Sequence, residues 1–286
     1  MKTFKTLKQS IINNNQCIDD VDYLKEILND HLDVSERSKA EVYVKDRIMP
    51  LKIANRKIGD DTIIINMNHA LNCYSSKKGY CNMCGDCYAK KAVNTYPQSC
   101  LYNLAGEINF KVLPVEKIIS DIEDKISDSK TKIRFIRFNE AGDFYSYDSF
   151  LKANEIATYF KKKYGIVTYT YTHNIELEEH IKEIDNSNIV LNYSYDVESN
   201  LNLKKCIVID KKDLRKYFSK EYVVCNGSCF HCSYCKNKKD TRTVVFVNHK
   251  SKSIEKILKE VLTEEELIKL ELIKAEDYYN FLLDLI

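Results

Sequence analysis

The sequence has no tryptophan, only three prolines and seven glycines in 286 residues, and no excess of either charge. Its 44 basic and 42 acidic side chains leave a formal charge of +2. A chain this close to neutral is not built to grip DNA with its whole surface, although a local basic patch is compatible with it. No run approaches the roughly 20 apolar residues needed to cross a bilayer. The opening MKTFKTLKQS lacks the apolar stretch of a secretory signal, so a cytoplasmic protein is expected. With 30% charged and 44% hydrophobic residues the chain can bury a core, which excludes a disordered tail or a low-complexity linker.

Cysteine, by contrast, is abundant and unevenly placed. Of eleven, eight fall into two tight sets. The first is Cys73, Cys81, Cys84 and Cys87 in CYSSKKGYCNMCGDC, and the second is Cys225, Cys229, Cys232 and Cys235 in CNGSCFHCSYC. In a reducing compartment a chain this long has no need of disulfide staples, so metal ligation is the expected use. Cys81, Cys84 and Cys87 form C-x2-C-x2-C, a spacing that lets three sulfurs converge on one [4Fe–4S] cluster. Zinc more often takes two C-x2-C knuckles separated by a longer insert, and remains the alternative metal. The second set contains C-x3-C-x2-C, a spacing known for clusters with one iron left open, and its fourth cysteine can close that position. Cys17, Cys100 and Cys206 stand apart and read as ordinary thiols. His69 is a weaker alternative ligand, and His231, inside CFHC, reads as a neighbour of the ligands.

Along the chain, VDYLKEILNDHL and VSERSKAEVYVKDRIMP predict helices, with Asp19 or Asp20 capping the first and Pro50 ending the second. Strands are predicted at 62–67, 132–138, 166–172, 188–195, 205–210, 222–225 and 243–247, with helices over 88–105, 115–127, 147–163, 175–184 and 211–219. This alternation implies an α/β fold with a mainly parallel sheet, open or rolled into a partial (β/α) barrel. Thr263 and Glu266 are spaced as a capping box before a final packing helix. The organisation expected is a helical segment over 1–51, an α/β metal-cluster domain over 52–250, and helices over 251–286 packed on it.

Functional groups of parallel α/β folds gather where strands end. Asn139, Glu140 and Asp143 follow the second predicted strand, Thr172 and His173 the third, Asp196 the fourth and Asp210 the fifth. The cysteine sets follow the first and the sixth. Lys77, Lys78, Lys236, Lys238 and Lys239 can offset thiolate charge or contact phosphate. Tyr169 with Tyr171, and Tyr193 with Tyr195, share strand faces; they can stack on bases, although core packing is the commoner use.

CYAKKA (87–92), IRFNEAGDFYSYDSF (136–150), YTYTH (169–173) and a late cysteine-rich segment together resemble the bacteriophage gene product 88 family, over roughly residues 52–250. That resemblance implies a phage protein but no particular activity. A looser likeness is to radical S-adenosylmethionine enzymes, whose cluster loop follows the first strand of a partial barrel and whose glycine- and acid-containing motif follows the second. It implies that Asn139, Glu140, Gly142 and Asp143 hold S-adenosylmethionine. The first loop departs from that family in lacking C-x3-C-x2-C. The function expected is an iron–sulfur protein with two four-cysteine sites, radical-SAM-like if catalytic and acting on a nucleotide or nucleic acid. The alternative is a zinc- or closed-cluster-stabilised module that binds nucleic acid or a host protein.

Overall fold

All seven predicted strands are present, and a short eighth precedes them. They are β1 (Lys52–Ile53), β2 (Thr62–Ile65), β3 (Phe135–Phe138), β4 (Val167–Thr172), β5 (Ile189–Ser194), β6 (Lys205–Ile209), β7 (Tyr222–Val224) and β8 (Thr243–Val247). This computed structural model describes residues 4–14, 16–29, 35–54, 57–81, 83–194, 204–230, 232–248 and 254–284. The strands form one sheet in the order β1-β2-β3-β4-β5-β6-β8-β7. Only β1 runs antiparallel to its neighbour. From β2 to β6 each strand lies beside the one before it, so the ends of β2, β3 and β4 share one edge.

Both faces of the sheet are covered, which is why its strands read as nearly continuous apolar runs. On one face Ile63, Ile65, Ile136 and Phe138 pack with helices α7 (Val115–Ser127) and α8 (Tyr147–Tyr164). On the other, Phe135, Val167, Tyr169 and Val190 meet Tyr278 and Phe281 of α11 (Glu264–Leu283). The second cysteine loop occupies the rest of that face, where Cys206, Val223 and Val244 contact Tyr234 and Cys235.

The predicted helix over 88–105 is two helices, α5 (Tyr88–Thr95) and α6 (Pro97–Val112). Pro97 separates them: without an N–H it suits the first turn of α6 and cannot continue α5. The stretches over 175–184 and 211–219 are tighter than predicted, with 3-10 turns at Ile175–His180 and Lys211–Tyr217, the former running into α9 (Ile181–Asp185). α4 (Tyr74–Lys77) is a single turn inside the first cysteine loop, and α10 (Ile254–Val261) covers β7 and β8.

The amino-terminal helices are α1 (Phe4–Asn13), α2 (Val21–Asn29) and α3 (Ser35–Lys45). Asp20 caps α2, its carboxylate accepting from the N–H groups of Asp22 and Tyr23 at 2.9 and 3.1 Å. Ile11, Leu24, Ile27 and Leu28 pack on Leu101, Leu104 and Ile108 of α6. The Thr263/Glu266 capping box forms as predicted. Among the described residues no helix is long and apolar enough to cross a membrane.

Candidate metal centres

Beyond β2 the chain carries Asn66, Asn68, His69 and Asn72, all buried, and needs partners for them. Glu107, buried on α6, supplies most: it accepts from Asn68 Nδ2 at 2.9 Å, the His69 N–H at 2.8 Å and Asn72 Nδ2 at 2.6 Å, and pairs with Lys111 at 3.2 Å. Burial raises its carboxyl pKa while Lys111 opposes the rise. His69 Nδ1 accepts from the Leu71 N–H at 3.1 Å, capping the 3-10 turn Ala70–Asn72, and burial pulls its pKa down to about 4. That nitrogen serves the turn, while Nε2 is buried without a hydrogen-bond partner among the described residues.

This scaffold delivers the first cysteine set to the carboxyl edge of the sheet. Cys73 and Cys87 sit at the N-caps of α4 and α5, where helix N–H groups favour negative charge. Burial raises Cys73, the Cys84 hydrogen bond and burial raise Cys81, and the backbone of Ser76 acts to lower Cys73 and that of Met83 to lower Cys81. The Cys81 thiol hydrogen-bonds Cys84, and this bond, with the Ser76 hydroxyl, Lys90 and His173, pulls the Cys84 thiol down to about 5. Burial pushes Cys73 up, and the charges of Asp143, Cys84 and Cys87 add to that rise. All four cysteines of the set therefore share one electrostatic neighbourhood. Tyr74 and Tyr80 pin the loop by donating to Glu176, each at 2.7 Å.

The turn after β3 locks against this loop. Gly142, at φ +82°, lies so close to Asn68 that a side chain there would meet its backbone. Asp143 is buried and uses both oxygens: Oδ1 accepts from Thr172 Oγ1 at 2.6 Å and the Phe144 N–H at 2.8 Å, and Oδ2 from Ser75 Oγ and the His173 N–H, each at 2.7 Å. Burial raises its carboxyl pKa, against the pull of His173 and these donors. Glu140 pairs with Lys52, and its carbonyl accepts from the Tyr88 hydroxyl at 2.6 Å. Asn139 sits at φ 55° and bonds Ile65 and Met67 of the neighbouring segment, leaving Nδ2 buried without a partner. Of the four residues assigned to a cofactor, three are thus occupied inside the protein, and Asn139 alone keeps an unused buried donor.

The second set is built by β7 and the loop to β8. Cys225 extends the ladder by donating its N–H to Val245 at 2.9 Å, and its sulfur accepts from the Gly227 N–H at 3.3 Å. Burial raises the Cys232 thiol, and the backbone of Tyr234 acts against that rise. The Cys229 N–H reaches the Lys57 carbonyl, and Asn192 of β5 holds the Cys235 carbonyl at 2.9 Å. All four cysteines line one void of about 30 Å³, walled by Tyr171 and Phe246.

Cys206, read from sequence as a bystander, belongs to this neighbourhood. Its thiol donates to Asn192 Oδ1 at 4.0 Å and lies beside Cys235, whose thiol the proximity of Cys206, with the Tyr171 hydroxyl, Lys204 and Arg137, pulls down to about 7. The sequence signal was its place on the same strand face as Val223 and Val244, which only the sheet order reveals. Arg137, a charge inside an otherwise apolar strand, was also passed over; it lies over the Tyr171 ring at 5.2 Å and donates to the Tyr88 hydroxyl at 3.2 Å.

The thiols are not closed around a single point. Among the described residues no three His, Cys, Asp or Glu groups stand at separations that would hold a metal ion. The lysines considered for phosphate are used elsewhere: Lys77 on the Ile11 and Asn14 carbonyls, Lys238 on the Ser187 carbonyl, Lys239 on Asp284, while Lys236 is buried. Lys78 is exposed above the Tyr74 ring. Tyr169 and Tyr193 are buried in the core and Tyr171 faces the second set, so these strand tyrosines pack instead of offering stacking faces. Asp210 leads into the turn at Lys211–Tyr217 and is exposed. His231, Tyr195 and Asp196 lie outside the described residues.

Comparison with known proteins gives one match. The model of a family described as "Gene product 88" matches residues 45–256, which include both cysteine sets and every strand. No curated protein matches, and no solved structure matches.

Proposed function

The chain belongs to the gene product 88 family of phage gene products, and we propose that it is an iron–sulfur protein with two four-cysteine sites on one parallel sheet. The observation that carries this reading is the gathering of Cys225, Cys229, Cys232 and Cys235 around one void, with the Gly227 N–H donating to Cys225 Sγ at 3.3 Å. A neutral thiol is a weak acceptor, whereas a thiolate ligand is held and tuned by such donors. By the chemistry of their donors, and not by their present separations, the sets suit a thiolate-bound metal, Cys73, Cys81, Cys84 and Cys87 holding one group and Cys225, Cys229, Cys232 and Cys235 the other. Bound there, an iron–sulfur cluster would supply one-electron chemistry. The protein's own part is to fix the sulfurs, offset their charge and exclude water.

Because Cys73 shares its surroundings with Cys84 and Cys87, the first set favours a closed four-thiolate site, hence an electron-transfer or structural role. A second reading, a radical S-adenosylmethionine enzyme with a nucleotide or nucleic-acid substrate, is favoured by one feature: the cysteine loop and the Asn139–Asp143 turn follow adjacent parallel strands, β2 and β3. Zinc in the second set is favoured by its small void. Iron, sulfide and zinc content after anaerobic purification tests the main reading. Formation of 5′-deoxyadenosine on adding dithionite and S-adenosylmethionine tests the second.

A further inference from the structure

Three cationic side chains stand around the second cysteine set, two of them buried and Arg137 partly so. Lys236 is 3% exposed; its Nζ donates to the Cys229 carbonyl at 3.2 Å and lies 4.0 Å from the centre of the Phe135 ring. Lys274, 7% exposed, comes from α11 and donates to Asn226 Oδ1 at 2.9 Å and the Ser228 carbonyl at 3.0 Å, both within the cysteine loop. Arg137 rises from the sheet beneath, over Tyr171, with its Nε buried and without a hydrogen-bond partner. Among the described residues none of the three is ion-paired with a carboxylate. Asp61 lines the same cavity as Lys236 and Cys229, and its charge, like that of Cys229, favours the protonated amine without forming an ion pair.

A buried charge without a counter-charge costs several kcal/mol, of which carbonyl and ring contacts recover a part. Protonated thiols provide no negative charge. Deprotonated on a metal, they do: four thiolates on a divalent ion leave two net negative charges, as they do on an oxidised four-iron cluster, and a reduced four-iron cluster leaves three. The first set has a different setting. There Asp143, a buried carboxylate, acts on Cys73, and the cation is Lys90, which acts on Cys84. Lys90 donates to the Ser76 hydroxyl at 2.6 Å.

We infer that Lys236, Lys274 and Arg137 are the built-in counter-charge of a metal–thiolate centre at Cys225, Cys229, Cys232 and Cys235, and that they favour its more negative state. This rests on the reading of those cysteines as ligands. The three are positioning residues: they act on the centre through space, and none is a ligand.

The test uses the full chain purified without oxygen, as Lys236→Met, Lys274→Met and the charge-keeping Lys236→Arg. Each Met variant should lose the second centre's metal to a chelator about tenfold faster than the parent. If that centre is a cluster, its reduction potential, followed by EPR-monitored titration, should fall in each Met variant. Lys236→Arg should restore both readouts. Unchanged chelator rates and potential in both Met variants, with metal content intact, would overturn the inference and leave the ligand assignment standing. Full metal content in Cys232→Ala would instead remove the assignment itself. Should Lys236→Met not fold, Lys274→Met, altered on a separate element, decides by the same readouts.

Discussion

Gly142 faces the carbonyl oxygen of Asn68 at a separation that admits no side chain, since a Cβ at Gly142 would lie 2.0 Å from it. This contact clamps the turn after β3 to the segment that launches the first cysteine loop. Gly142→Ala would impose both the clash and an unfavourable positive φ, so it is expected to destabilise the fold by at least about 2 kcal/mol. Urea denaturation measures this; an unchanged midpoint would mean that the two segments are not clamped.

Asp143 ties three segments by accepting from Ser75, Thr172 and the His173 N–H. Asp143→Ala strands those buried donors and is expected to cost roughly 3 kcal/mol, and to loosen metal at the first set while sparing the second. If Asp143 served S-adenosylmethionine instead, the variant would keep its stability and lose only affinity for that molecule. Calorimetry on the variant, with and without S-adenosylmethionine, tells the two apart.

The difference between these two roles marks where sequence reading stops. The seven strands were legible because β-branched and aromatic runs such as TIIINM and TVVFV alternate with helical patterns, and the cysteine sets because their spacings are narrow. The break at Pro97 was legible in principle but lay inside a continuous helical pattern. Glu107 and Arg137 were not legible: one sits mid-helix and one mid-strand, where a charge ordinarily means a solvated face. Their importance depends on partners 38 residues away in one case, His69, and 49 in the other, Tyr88. Cys206 is the buried thiol its apolar run predicts, whereas its neighbours Cys235 and Asn192 are set by strand order and were not legible. For Asn139, Glu140, Gly142 and Asp143, position at a strand end was readable, whereas what they bond was not.

Acid stability should carry the mark of His69. Burial holds its pKa at about 4 in the fold, against an ordinary 6.5. A depressed histidine favours the fold at neutral pH, and that advantage is lost as pH falls from 6.5 towards 4, amounting to about 3 kcal/mol over the window. Glu107 and Asp143, whose pKa values are raised, slope the opposite way, so the comparison must be made against a variant. His69→Asn, which can keep an acceptor for the Leu71 N–H, should flatten the curve between those pH values. Parallel curves for parent and variant would show that His69 does not titrate on unfolding.

The two sets should be separable by substitution. Cys84→Ala is expected to remove the metal of the first centre and Cys232→Ala that of the second, each leaving the other in place. Metal analysis of the purified variants checks this, and a variant with the parent's full content would strike its set from the account.

The most direct measurement of the central claim is the iron, acid-labile sulfide and zinc content of the full chain purified without oxygen, read beside its visible spectrum. The account expects brown protein with absorption at about 400 nm and roughly four to eight irons per chain, matched by sulfide. Colourless protein carrying about two zinc ions, or no metal at all, would contradict it.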